Sequence, residues 1–162
     1  MSRTEFVEKY QHIAGKALEY AEKARREGLL ALEDELDQEK IRTRDIFEYG
    51  LRFVIDGTDR EIIDEILSNI INQERDEEIR ILMNIQKRAV LSIQAGDNPR
   101  ITYALLNSFT DIPLEDENKS ILTRDIIYPE RPDYSGVVES EDEILAQLQE
   151  ASSALKRAFE AE

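Results

Sequence analysis

The stretch Thr58-Asp59-Arg60-Glu61-Ile62-Ile63-Asp64-Glu65-Ile66-Leu67-Ser68-Asn69-Ile70-Ile71 decides the fold class. Its isoleucines are β-branched and would suit a strand, yet the apolar residues come as the doublets Ile62-Ile63, Ile66-Leu67 and Ile70-Ile71. Doublets recurring every three to four residues line one face of a helix, whereas in a strand of period two each doublet would point to both faces at once. The stretch therefore reads as an amphipathic helix. Thr58 followed by Glu61 has the spacing of a capping box and predicts its start. Asp56-Gly57 just before it marks the end of an earlier helix, with Gly57 taking the left-handed cap conformation.

The same periodicity extends in both directions. Toward the N-terminus, Ser2-Arg3-Thr4-Glu5 is a second capping box, and Phe6, Tyr10, Ile13, Ala14, Ala17, Leu18, Ala21 and Ala24 form one apolar stripe. Gly28 kinks or breaks that helix, since glycine costs about 1 kcal/mol in a helix interior. Ile46, Phe47, Gly50, Leu51, Phe53 and Val54 give the next stripe. Toward the C-terminus, Ile79, Leu82, Met83, Gln86, Ala89, Val90 and Ile93 keep one face until Gly96. Asn98 as N-cap and Pro99 at the first helical position open a helix carrying Ile101, Leu105, Leu106 and Phe109, which Asp111-Ile112-Pro113 ends. The expected fold is all-α, a compact bundle of about five helices over residues 1–114.

Beyond Leu114 the composition shifts: residues 115–162 hold 13 acidic and five basic side chains. Residues 115–138, which include Pro129 and Pro132, read as an extended, poorly packed acidic linker. Residues 139–162 read as a C-terminal amphipathic helix opened by Ser140 and Glu143, with Ile144, Leu148, Ala151, Leu155 and Phe159 as its apolar seam. That seam either packs back on the bundle or docks on a partner. Ile144, Leu148, Leu155 and Phe159 are the candidate docking face.

The 162-residue chain carries 36 acidic against 21 basic residues, a formal net charge of −15. Such a field repels phosphate backbones and anionic lipid, so nucleic acid is not an expected partner and a basic protein surface is. There is no cysteine, which removes disulfides, thiolate nucleophiles and thiolate metal sites, and makes the cytoplasm the default compartment. The longest apolar runs, such as Leu29-Leu30-Ala31-Leu32, are four residues, against the roughly 20 that a bilayer span needs. The charged start Met1 to Glu5 lacks the apolar core of a signal peptide. A soluble, cytoplasmic protein without direct membrane insertion is expected.

Reactive groups are few. His12 is the single histidine, and a metal site needs more ligands of its kind. Glu33-Asp34-Glu35, Glu115-Asp116-Glu117 and Glu141-Asp142-Glu143 are consecutive in sequence, which splays their carboxylates on a helix. None has the alternating ligands and central glycine of a calcium loop, and the glycines form no phosphate-cradling cluster. No catalytic residue, metal ligand or cofactor is expected, and the chain does not read as an enzyme.

Three blocks, in order, resemble one known family. Ala24-Arg25-Arg26-Glu27-Gly28-Leu29-Leu30-Ala31-Leu32-Glu33 is similar to the cytoplasmic-loop motif of MotA, the flagellar motor stator family. Phe53-Val54-Ile55-Asp56-Gly57-Thr58-Asp59 resembles a later part of that loop. Val90 to Arg100, followed by Leu106-Asn107-Ser108-Phe109, resembles the family's C-terminal cytoplasmic tail. The likeness covers about Phe6 to Pro113. The family's four membrane spans are missing from the chain, so ion conduction is not carried over.

The resemblance implies that Arg25, Arg26 and Glu33 meet the rotor protein FliG through charge complementarity, and that partners are flagellar rotor or stator proteins at the cytoplasmic face of the motor. Arg25 and Glu33 would fall on one side if the helix continued through Gly28. The alternative is that these charges form ordinary intrahelical pairs such as Arg25 with Glu22, worth less than about 0.5 kcal/mol. Two other readings stand beside the motor-associated one: an engineered, excised and fused cytoplasmic domain of a full stator protein, and an acidic helical adaptor whose C-terminal helix docks on a basic partner. Self-association through a surplus apolar face is open.

Overall fold

The computed structural model describes residues 1–37, 45–123 and 141–160. The chain divides into two compact units, residues 1–125 and 126–162, and the described residues are helical with no strand. In the first unit, α1 (Arg3–Glu27) is followed by a 3-10 helix (Leu29–Glu35), α2 (Ile46–Ile55), α3 (Arg60–Ile71), α4 (Glu77–Ala95), α5 (Pro99–Asn107) and α6 (Asp116–Thr123). The second unit holds α7 (Glu141–Glu160).

Local chemistry sets most of these boundaries. Ser2 caps α1 by accepting from the Glu5 amide at 3.1 Å, and the Glu5 carboxylate both pairs with Lys9 at 3.1 Å and reaches back to the Ser2 amide. Asp45 caps α2 and Asp76 caps α4 in the same way, at 3.3 and 3.1 Å. Asn98 accepts from the Arg100 amide at 2.9 Å with Pro99 opening α5, as the sequence predicts. The capping box at Thr58 does not form. The Thr58 amide donates to the Phe53 carbonyl at 2.9 Å and the Gly57 amide to Val54 at 3.1 Å, which closes α2 in a Schellman motif. Thr58 is consumed by that closure, and Asp59 takes the N-cap position of α3 without a side-chain cap bond.

α4 is the hub of the first unit, packing against α1, α2, α3 and α5. Every apolar position predicted for α1 is buried. α3 is narrower than its sequence suggests: Ile63, Leu67 and Ile71 are buried and Ile62 is exposed. α5 likewise turns Thr102 and Leu106 inward and leaves Ile101 exposed, and it ends at Asn107, so Phe109, expected on this helix, is exposed just beyond it. Thr102 is tolerated there because its hydroxyl meets that of Ser92 at 2.9 Å, and Ser92 donates to Asp97 at 2.7 Å. At the centre, Gly50 brings the α2 backbone against Leu67 of α3 and Val90 of α4.

The expectation of an extended linker over residues 115–138 differs at Asp116–Thr123, which forms α6. Half-buried Ile121 and Leu122 pack on the core, Asn118 fits against the bare backbone of Gly15 in α1, and Arg100 donates to the Leu122 carbonyl at 2.9 Å. Residues 124–138 of that expected linker, and Ser140, lie outside the described residues.

Candidate functional site

Arg25 and Arg26 occupy the last turn of α1, where cations complement the partial negative charge of the carbonyl end. The α-helix stops at Glu27, because Gly28 turns to φ 93° and ψ 162°, a region only glycine adopts without strain. Glu33 therefore sits on the 3-10 helix, not two turns along the same α-helix as Arg25.

Two anchors hold the 3-10 helix in place. Leu32 inside it and Leu36 just beyond are buried in the core. Lys23 of α1 bonds to the Glu35 carboxylate, and that hydrogen bond is the largest cause of a Lys23 pKa above the ordinary lysine value. With Leu32 and Leu36 fixed inward, the intervening chain turns Glu33 outward. Arg25, Arg26 and Glu33 are all exposed.

The three side chains have different neighbours. Arg25 reaches the carbonyl of Gly96 at 3.5 Å, so the first and third sequence blocks, far apart in the chain, meet in space. It is Arg26, not Arg25, that pairs with Glu22, at 3.9 Å and largely in solvent. Leu30 is 70% exposed in the middle of this charged surface. Sequence reasoning did not single it out, since Leu29-Leu30-Ala31-Leu32 entered only as a short apolar run. The available signal is that a single 3-10 helix cannot turn three closely spaced leucines inward together.

The tail face lies in the other unit. Ile144 falls on α7, and Leu148, Leu155 and Phe159 there are 62%, 61% and 78% exposed.

A separate groove of about 540 Å³ opens between α1 and α4, lined by His12, Ile13, Ile79, Leu82, Met83 and Gln86 among others. Sequence periodicity could not find it, because its two walls are some 70 residues apart in the chain. Its lining also carries Glu8, Lys9 and Glu74, and the buried Gln86 Oε1 atom has no hydrogen-bond partner among the described residues. No cluster of three or more potential metal ligands exists among the described residues, and no helix among them is long and apolar enough to cross a membrane.

The surface at the end of α1 thus offers cations, carboxylates and an apolar side chain on a buttressed turn, an arrangement suited to contact with another protein. A 50-residue stretch is 48% identical to motility protein A of Borreliella burgdorferi. The match takes in 31% of this chain and 18% of motility protein A, so the likeness spans less than a fifth of that protein's length. No protein-family profile matches the chain, and no solved structure matches it.

Proposed function

We propose that this chain works by protein–protein contact in the flagellar motor, as a relative of the cytoplasmic portion of the stator protein. The observation that carries the reading is the 48% identity to motility protein A over 50 residues. The partner is the rotor protein FliG, met by Arg25, Arg26 and Glu33 with Leu30 as the apolar anchor among them. Charges at the rim of an interface steer encounter and set register more than they add affinity. A single apolar side chain that becomes desolvated between them supplies the larger share of the binding energy. Contact is the role assigned to these residues, and neither ion conduction nor a chemical reaction is.

Two features support the reading. The candidate charges are exposed. The backbone that presents them is also fixed, by Leu32, Leu36 and the Lys23–Glu35 bond, so little ordering entropy is lost on docking. The site of action is the cytoplasmic face of the motor.

The test is binding of the full chain to purified FliG by calorimetry, alongside recovery of motor proteins from a flagellated cell. Saturable binding that falls on charge reversal of Arg25 supports the proposal. If no rotor or stator protein is recovered and FliG gives no heat of binding, the proposal fails.

A further inference from the structure

The second unit carries a pattern that the motor reading does not use. On α7, Leu145, Leu148, Ser152, Leu155 and Phe159 follow each other at intervals of three, four, three and four residues. That is the a/d spacing of a helix pair, and it puts all five on one seam. The four apolar members are 55%, 62%, 61% and 78% exposed, from Leu145 to Phe159.

From this seam and the charges beside it we infer that α7 pairs antiparallel with α7 of a second copy of this chain. The charge order along the helix selects both occupant and direction. The N-terminal end begins Glu141-Asp142-Glu143 and the C-terminal end carries Lys156-Arg157. Two copies running antiparallel set each Glu141-Asp142-Glu143 run beside the other's Lys156-Arg157, which Glu160 and Glu162 follow, whereas a parallel pair sets like beside like. Asp142 and Lys156 are two heptads apart and so occupy the same flank of the seam. In the antiparallel arrangement that flank faces its own copy, so positions 142 and 156 come side by side twice about the two-fold axis.

The register that interleaves the seam layers sets Leu145 against Leu155 of the other copy and Leu148 against Ser152. Ala151 and Ala158 flank the seam on its other side and let the two backbones approach closely. A 20-residue helix is about 30 Å long. A single seam of that length buries on the order of 1,000 Å² in total, at the lower edge of specific interfaces, so the pair is reversible.

The test is sedimentation equilibrium of the full chain from about 5 to about 500 µM, the range in which an interface of this size associates. The mass is expected to rise from one chain toward two. The variant carrying Leu148→Glu and Leu155→Glu, both exposed positions, is expected to stay at one chain throughout, with its helical circular dichroism and melting transition for residues 1–125 unchanged. Direction is read by disulfide trapping, which is clean because the chain has no cysteine. A mixture of Leu145→Cys and Leu155→Cys chains is expected to cross-link, and Leu155→Cys alone is not. A wild-type chain that remains a monomer at the highest concentration overturns the inference, as does a double variant that still dimerises. Efficient cross-linking of Leu155→Cys with itself overturns the antiparallel arrangement.

Discussion

Lys87 of α4 donates to the carboxylate of Asp64 on α3 at 2.8 Å and also reaches the Ser68 hydroxyl at 3.0 Å, so one ammonium ties two helices together. The Lys87 hydrogen bond is the largest cause holding the Asp64 carboxyl below the ordinary aspartate range. A pKa depressed in the folded chain means that the unfolded chain binds more protons as the pH falls. The contribution is therefore complete above the unfolded value of about 3.9 and is lost as pH drops through the lower folded value. Because the Asp64 side chain is about half exposed, solvent screening limits the pair to about 0.2–1 kcal/mol. Urea unfolding followed from neutral to acid pH is expected to show Asp64→Asn less stable than wild type above about pH 5, with the two curves drawing together as the pH falls below the ordinary aspartate range.

Gly50→Ala is expected to destabilise the first unit through packing alone. An added Cβ would stand 2.9 Å from Leu67 Cδ1 and 3.0 Å from both Val90 methyls. Leu67 can swing its terminal methyl, but the branched Val90 has little rotamer freedom. Overpacking of about 1–3 kcal/mol exceeds the roughly 0.5–1 kcal/mol gained in helix propensity. A net loss of about 1–2 kcal/mol in urea denaturation is the expected result.

Gly28→Ala tests the opposite mechanism. Nothing lies within 4 Å of an added Cβ, but the residue is at φ 93°. The cost is backbone strain, about 1–3 kcal/mol, with no steric clash to relieve. The same substitution is expected to weaken FliG binding, because relaxing the turn moves Leu30 and Glu33 relative to Arg25.

Ser92→Ala removes the hydroxyl shared by Asp97 and Thr102, which joins α4 to α5 across the Gly96 corner. Both Ser92 and Thr102 are fully buried. Leaving the Thr102 hydroxyl without this partner is expected to cost about 1–3 kcal/mol in unfolding free energy. The replacement Thr102→Val, which keeps the Ser92–Asp97 bond, is expected to cost less in the same urea titration.

Leu30→Ser is expected to leave stability within about 0.5 kcal/mol of wild type, since the side chain is mostly in solvent already. It should weaken FliG binding by more than either Arg25→Ala or Arg26→Ala does, if an apolar anchor carries the contact. Thermal melting and calorimetry on the same three variants read both effects.

What the sequence made legible was whatever is set within one or two helical turns. The stripe of α1, the Ser2 cap, the Asn98-Pro99 start and the break at Gly28 all depend on neighbours in the chain, and all could be read before any fold was known. The Thr58 cap was misread because two local motifs compete for the same residue, and the Schellman closure of α2 takes it. α6 escaped notice because its short acidic sequence has no strong period of its own, and it depends on Gly15 and Arg100, about 100 and about 20 residues away in the chain. At the candidate site the block named the charged residues Arg25, Arg26 and Glu33, which are exposed, and did not single out Leu30. Which leucine of a crowded run faces water is settled by how the turn is anchored, through Leu32, Leu36 and Lys23.

The most direct measurement of the central claim is the affinity of FliG for wild type, Arg25→Glu, Glu33→Lys and the double reversal, by calorimetry at two salt concentrations. Binding is expected to fall about tenfold or more for each single reversal, to fall by less than the product of the two in the double variant, and to weaken for wild type as salt rises. Four chains with equal affinity for FliG, or with none, would contradict it.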